Sequence, residues 1–236
     1  MPDITKFTSG GKDIESEVFR PAGAPTPSGA GVIVIAHGSD GMTEPWGTMI
    51  RDYASELAKR GFVAVVPSYL QRTWTSQPTR EEVFATMGSH RDEWQETIGD
   101  AITHAQTKLP GIDASRVGLL GFSLGGHLCL RLWSTPKVLV AFFAPTLPQL
   151  GRLGPRGPLT THIQIQHGKA DSVVSIKDGE AILQELKNNR PVPEHWFYDD
   201  AGHGFISSKF GGTDLGNSNA REQSRKNALT FFQSHL

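Results

Sequence analysis

Short apolar runs alternate along this chain with longer stretches in which apolar residues recur at helical spacing. The runs are mostly continuous, which is typical of strands that are buried on both faces of a parallel sheet. They lie at 31–36, 62–66, 116–122, 138–143, 162–167 and 194–198. The stretches between them predict helices at 46–60, 91–109, 124–133 and 175–189 and from about 218 onward. The pattern therefore predicts repeated β–α units and a mostly parallel sheet flanked by helices.

The remaining segments complete a single α/β domain that spans residues 1–236. Residues 13–20 predict an antiparallel edge strand, and a Pro-, Gly- and Ser-rich linker follows at 21–30. Residues 70–90 are irregular and rich in Thr, Ser and Gln, and they predict an active-site loop or a small lid. The Gly- and Pro-rich stretch 145–160 is too short for an inserted cap domain.

The segment from Gly121 to Gly126 carries the clearest chemical signal. A predicted strand leads into Ser123 and a predicted helix follows it, and glycines stand two positions before and two positions after the serine, at Gly121 and Gly125. This is the strand–turn–helix context of a nucleophile elbow, a turn so tight that only small side chains fit at those two positions. The context makes Ser123 a candidate nucleophile rather than an ordinary helix N-cap.

Candidate partners for Ser123 follow in the order acid, then histidine. Asp171 and His203 each lie in a loop directly after a predicted strand. Since the carboxyl ends of parallel strands border one crevice, both side chains can reach the serine. Asp199 or Asp200 remains an alternative candidate for the acid. His203 is better placed than the other candidate histidines, His195 inside a strand and His235 at the tail.

A serine hydrolase also needs two fixed donors for the oxyanion of its tetrahedral intermediate. The amide of Leu124 follows the nucleophile at a helix N-terminus and is the first candidate. The second is expected in the loop 37–41, at the amide of Ser39 with Gly38 as the alternative. His37 is expected to shape this loop rather than to react.

Composition narrows the function further. The formal net charge is −1, which favours neither nucleic acid nor an anionic membrane as a partner. Cys129 is the single cysteine, so no internal disulfide forms, and we expect it to be a small buried core residue. No metal motif, signal peptide or membrane span appears in the sequence. We expect a cytoplasmic monomer or homodimer that uses no metal or cofactor.

Five segments give the chain a resemblance to the dienelactone hydrolase family of α/β-hydrolases over nearly its full length. They are Val-Ile-Ala-His-Gly-Ser-Asp-Gly at 34–41, Val-Pro-Ser-Tyr-Leu-Gln-Arg at 66–72, the block 112–126, His-Gly-Lys-Ala-Asp at 167–171 and Ala-Gly-His-Gly-Phe at 201–205. The resemblance implies an α/β-hydrolase fold with no large cap domain. It also implies hydrolysis of an ester or a lactone.

The chain departs from the family pattern at informative positions. Ser123 stands where the family has a cysteine nucleophile, and Gly38 stands where it has a glutamate that activates that thiol. Arg72 matches a family arginine that binds the substrate carboxylate, whereas Ser207 replaces a second one and Lys209 is a weak substitute. These differences favour a general serine esterase over an enzyme for chlorinated aromatic lactones.

Residues near the expected cleft suggest the character of the substrate. Trp46, Arg72, Trp74 and Phe205 are expected at strand carboxyl ends, where apolar walls with one cation suit a small ester or lactone that carries an acidic group.

The leading hypothesis is a serine hydrolase that cleaves a small-molecule ester or lactone through an acyl-enzyme with a Ser-His-Asp triad. The alternatives are a non-catalytic ligand-binding protein of the same fold and a small peptidase of the prolyl-oligopeptidase type. A reaction in which peroxide instead of water attacks the acyl-enzyme remains a further alternative.

Overall fold

A computed structural model describes residues 2–23, 29–154, 160–188 and 191–236. Parts of the predicted linker at 21–30, of the stretch 145–160 and of the end of the helix predicted at 175–189 lie outside these residues.

Eight strands form one sheet, and five helices of eight residues or more lie in the described ranges. The strands are β1 (Asp3–Ser9), β2 (Lys12–Phe19), β3 (Ala30–Ala36), β4 (Val63–Pro67), β5 (Ile112–Phe122), β6 (Val138–Phe142), β7 (His162–Gly168) and β8 (Glu194–Tyr198). The helices are α1 (Trp46–Lys59), α2 (Arg80–Lys108), α3 (Leu124–Arg131), α4 (Ile176–Leu186) and α5 (Asp214–His235). The predicted α/β class and mostly parallel sheet are confirmed.

The strand order is β1-β2-β4-β3-β5-β6-β7-β8. The β1–β2 and β2–β4 pairs are antiparallel, and every pair from β4 to β8 is parallel. The carboxyl ends of β3, β5, β7 and β8 therefore lie at the same edge of the sheet, where the loops that carry the candidate site residues begin.

The central strands bury both of their faces, which accounts for their continuous apolar runs. On β3, Val32 and Val34 belong to one core cluster, which includes residues of α2, α3 and α4. The alternate residues Ile33 and Ile35 belong to the other cluster, which includes residues of α1 and α5. The helices thus cover the two faces of the sheet as a three-helix layer and a two-helix layer.

Helix α2 corrects one prediction. The segment 70–90 was expected to be an irregular loop, but α2 begins at Arg80. The Thr79 side chain accepts a hydrogen bond from the Glu82 N–H while the Glu82 carboxylate accepts one from the Thr79 N–H, which forms a capping box. Val83 and Met87 then anchor the first turns in the core. The Thr-x-x-Glu signature was present in the sequence, but the polar composition around it hid the helix.

Other differences concern boundaries and one edge strand. β1 was not predicted, because its residues are mostly exposed and pair with β2 alone. β5 begins four residues before the apolar run, at Ile112, and α5 begins at Asp214. Cys129 is fully buried and free, as expected.

Candidate active site

Ser123 lies in a strained turn between β5 and α3. Its backbone has φ 51° and ψ −118°, a conformation that is uncommon for any residue other than glycine. A Cβ at Gly121 would lie 2.5 Å from the carbonyl oxygen of Gly125, and a Cβ at Gly125 would lie 2.3 Å from the carbonyl oxygens of Ala36 and His37. The two glycines therefore allow α3 to cross close to β3 and β5, which leaves the serine at the tip of the turn. Strain of this kind is concentrated at functional sites.

His203 and Asp171 form a close pair across the loops that follow β8 and β7. His203 Nδ1 lies 2.7 Å from Asp171 Oδ2, and both side chains are nearly or fully buried. The other carboxylate oxygen, Oδ1, accepts hydrogen bonds of 2.8 Å from the N–H groups of Val173 and Val174. The carboxylate is thus fixed, and it holds the His203 ring with Nε2 as the nitrogen that is left to exchange a proton.

The competing candidates lie elsewhere, with Asp200 exposed at a separate surface hollow beside α5. Asp199 forms an exposed ion pair of 2.7 Å with Lys169. His235 stacks on His162 with ring centroids 4.1 Å apart, and His195 contacts the Phe197 ring.

His167 is a second histidine beside Asp171, and the sequence analysis missed it. Its ring is fully buried, with Nε2 3.0 Å from the carbonyl oxygen of Val174 and 3.5 Å from Asp171 Oδ2. Burial disfavours ionisation of Asp171, but the hydrogen bonds from His167, His203 and the Val174 N–H outweigh it and lower the pKa of Asp171 to about 2. Asp171 is therefore a stable carboxylate at neutral pH.

Ser123 and His203 line the same narrow pocket at the carboxyl edge of the sheet. Its walls are Gly38, Asp40, Gly41, Trp46, Met49, Ile50, Phe122, Ser123, Phe143 and His203. Two aromatic rings contact His203 edge to face, Phe143 at 4.5 Å and Trp46 at 5.9 Å between centroids. These contacts keep the imidazole in one orientation.

The loop after β3 lies directly against the serine. A Cβ at Gly38 would sit 3.4 Å from Ser123 Cβ, so the backbone there is close enough to serve the reacting centre. His37 supports this loop from below: its ring stacks on Tyr69 at 4.2 Å, and its Nδ1 lies 2.8 Å from the Gly38 carbonyl oxygen. Burial lowers the pKa of His37 to about 4, partly offset by that hydrogen bond, so the ring is neutral at pH 7.

The two candidate oxyanion donors are placed differently. Leu124 is the first residue of α3, so its N–H has no acceptor within the helix. Ser39 is buried and its hydroxyl faces Asp40 Oδ2 at 3.4 Å; the pocket wall in this loop includes Gly38 rather than Ser39.

Of the four expected substrate contacts, the structure brings Trp46 to the pocket but not the others. Arg72 donates to the carbonyl oxygen of Gly10 at 3.1 Å and lies 3.5 Å from Glu96. Trp74 borders a separate surface hollow beside β1 and β2. Phe205 is buried in the core, where it packs on Phe142, Phe143 and Tyr198.

Four apolar residues of the pocket wall were not predicted from the sequence: Met49, Ile50, Phe122 and Phe143. A signal existed for Phe143, because it follows the carboxyl end of β6 between the strands that carry Ser123 and Asp171. Met49 and Ile50 face the pocket because of the phase of α1, and no local sequence pattern relates that phase to the site.

Within the described ranges, no group of three or more His, Cys, Asp and Glu residues is arranged to hold a metal ion. In the same part of the chain, no helix is long and apolar enough to cross a membrane.

The comparisons with known proteins agree with this fold. The model of the dienelactone hydrolase family matches residues 14–236. A candidate carboxymethylenebutenolidase from Synechocystis sp. is 30% identical over 175 residues, which is 66% of this chain and 70% of that protein.

Several solved structures are similar across the whole of this chain, and two of them differ in length and activity. A candidate dienelactone hydrolase from Klebsiella pneumoniae subsp. pneumoniae superposes with a TM-score of 0.74 at 19% identity over 100% of this chain and 99% of its own. An acylaminoacyl peptidase from Pyrococcus horikoshii has a TM-score of 0.77 at 15% identity, and this chain matches 42% of its length. Both share the fold, and the family match covers nearly every residue. The chain therefore belongs to the dienelactone hydrolase family of α/β-hydrolases.

Proposed function

We propose that this protein is a serine hydrolase that cleaves small carboxylic esters or lactones through an acyl-enzyme. The observation that carries the proposal is the Asp171–His203 pair, 2.7 Å apart, whose histidine lines the same pocket as the strained Ser123. Membership of a hydrolase family agrees with a small-molecule substrate.

In the proposed reaction His203 Nε2 takes the proton of the Ser123 hydroxyl as the oxygen attacks the ester carbonyl carbon. The C–O bond to the alcohol then breaks, and the imidazolium returns the proton to the leaving oxygen. Water attacks the acyl-enzyme by the same route and releases the acid. Asp171 stays ionised and stabilises the imidazolium, which suits its low pKa.

The negative charge of the tetrahedral intermediate needs donors that are in place beforehand. The Leu124 N–H at the start of α3 is one proposed donor. The second is an N–H of the loop after β3, at Ser39 or Gly38, and the contact of Gly38 with Ser123 supports the placement of this loop.

The same contact favours serine chemistry. A glutamate at position 38 would begin with a Cβ only 3.4 Å from Ser123 Cβ, directly beside the nucleophile. With glycine there, activation of the serine rests on His203 and its partner Asp171, an arrangement that suits a hydroxyl nucleophile paired with a base.

The walls of the pocket favour a neutral substrate over an anionic one. Most of the lining is apolar, its carboxylate is Asp40, and the lining contains no Lys or Arg among the described residues. Arg72, the expected partner of a substrate carboxylate, is held by Gly10 instead. The proposed substrate is therefore a small neutral ester or lactone.

Hydrolysis of p-nitrophenyl acetate by the wild-type protein and by Ser123→Ala tests the proposal. We expect steady turnover in the wild type. In the variant we expect kcat/KM to fall by about 10⁴-fold or more, as it does when other nucleophiles are lost. The exposed serine after α3 provides a matched control, Ser134→Ala, which retains full activity. Equal turnover in all three proteins would overturn the proposal. Binding of the ester without turnover would favour a non-catalytic ligand-binding protein.

A further inference from the structure

A second cavity, open to solvent on one side, lies next to the narrow pocket and has no role in the chemistry described above. It has a volume of about 310 Å³, which is within the range of sites for small molecules. Its lining is Glu44, Pro45, Thr48, Met49, Asp52, Tyr53, Ile206, Arg221 and Arg225. Pro45, Met49, Ile206 and the Tyr53 ring make much of this surface apolar.

Helix α1 separates the two spaces. Positions 45, 48, 49, 52 and 53 face the cavity, whereas positions 46, 49 and 50 face the pocket that contains Ser123. Each set has the spacing of one helix face. The two faces overlap at Met49, whose side chain is common to both linings in the described part of the chain and is half-buried.

The two spaces differ greatly in the room that they offer. The pocket at Ser123 leaves about 10 Å³ of open space, enough for about one water molecule. The cavity behind Met49 offers about 310 Å³. Met49 belongs to both linings, so it borders the Ser123 pocket on one side and the larger space on the other. Methionine is a flexible, unbranched side chain that fills irregular gaps.

We infer that Met49 is the specificity-determining residue that limits the substrate to short chains. The cavity behind it accepts a linear aliphatic chain once the Met49 side chain is shortened. The inference rests on the proposed ester hydrolysis at Ser123. The chain belongs to the acyl group or to the alcohol of the ester, and the two are separated by experiment. Charge does not favour an ionic chain end, since Arg221 and Arg225 are balanced by Glu44 and Asp52 in the same lining.

The test is the ratio of kcat/KM for p-nitrophenyl octanoate to that for p-nitrophenyl acetate. In the wild type this ratio is below one. Met49→Ala raises it at least tenfold, because each methylene buried in an apolar cavity is worth up to roughly a factor of four. The ratio of kcat/KM for octyl acetate to that for methyl acetate makes the same comparison for the alcohol side. A rise of the ratio in either series supports the inference.

Two further variants distinguish an effect of removing the Met49 side chain from a general loosening of the fold. Met42→Ala makes the same chemical change at a half-buried residue that packs on the same core cluster but lines neither space, and it leaves the ratio unchanged. Adding Thr48→Trp to Met49→Ala fills the cavity from an exposed position of α1 and returns the ratio toward the wild-type value.

An unchanged ratio in both series for a folded Met49→Ala protein that still hydrolyses the acetate overturns the inference while the proposed function stands. Absence of acetate hydrolysis in the wild type instead contradicts the proposed function. A binding measurement decides the inference in that case: calorimetry with the neutral ligand octanamide gives at least tenfold tighter binding to Met49→Ala than to the wild type. Equal affinities overturn it.

Discussion

The Ser123 turn and the surroundings of Arg72 are held in place by different kinds of contact. At the turn, backbone packs against backbone: Gly125 approaches the carbonyl oxygens of Ala36 and His37 so closely that one added carbon would collide with both. Arg72 is held through the end of a long side chain, which donates to the Gly10 carbonyl oxygen beside the partly exposed Glu93 and Glu96.

The difference shows which parts of the molecule tolerate change. A backbone contact has no torsion with which to relieve a clash, so the turn fixes Ser123 rigidly. A guanidinium at the end of four rotatable bonds can lose a partner without moving the backbone. Substitutions near the turn are therefore expected to have large effects on activity and stability, and substitutions at Arg72 small ones.

The largest expected effect on activity is at Asp171, the proposed acid of the triad. Asp171→Asn keeps the shape of the side chain but removes the charge that holds the His203 tautomer, so kcat is expected to fall by about 10⁴-fold. Steady-state hydrolysis of p-nitrophenyl acetate measures it. Asp199→Asn and Asp200→Asn are the matched controls and keep wild-type activity. If either control lost as much activity as Asp171→Asn, the assignment of the acid would be wrong.

The next largest effect is expected from a substitution that tests the rigidity of the Ser123 turn. Gly125→Ala places a Cβ 2.3 Å from two carbonyl oxygens, so we expect a loss of about 3 kcal/mol in the free energy of unfolding, together with most of the activity. Gly99→Ala in α2 is the matched control, since its Cβ would meet no atom within 4 Å. That change stabilises the helix by about 0.5–1 kcal/mol. Urea unfolding measures both, and a tolerated Gly125→Ala would contradict the backbone constraint.

The smallest expected effect is at Arg72. Arg72→Ala removes the hydrogen bond to Gly10, and its carboxylate neighbours are exposed enough for water to replace the ion pairs. We expect a loss of about 1–2 kcal/mol in the free energy of unfolding and KM values within about threefold of wild type for anionic and neutral esters alike. A selective rise in KM for anionic esters would instead place Arg72 at the substrate.

The features that could be predicted from the sequence are those that depend on local backbone constraint and on strand order. The elbow glycines, the apolar runs of the central strands, and the loops of Asp171 and His203 each have a signal within a few residues. The pairing of His203 with Asp171 rather than with Asp199 needed the structure, because both acids follow strands at the same edge.

Features that depend on long-range packing left no such signal. The partner of Arg72 is Gly10, 62 positions away. Met49 borders the pocket because α1 packs on the sheet in one particular phase. His167 lies near the end of β7, and the alternating pattern of that strand carries no signal that its ring lies beside Asp171. For α2 the signal was present in the capping box at Thr79, but it was outweighed by polar composition.

The proposed function depends on Ser123 being a nucleophile that the Asp171–His203 pair activates. Trapping with a fluorophosphonate, followed by mass spectrometry of the digested protein, tests it most directly because the reagent needs no knowledge of the substrate. We expect one covalent adduct, on Ser123, and we expect it to form far more slowly in His203→Ala. A folded protein that forms no adduct, or forms it on another residue, would contradict the claim.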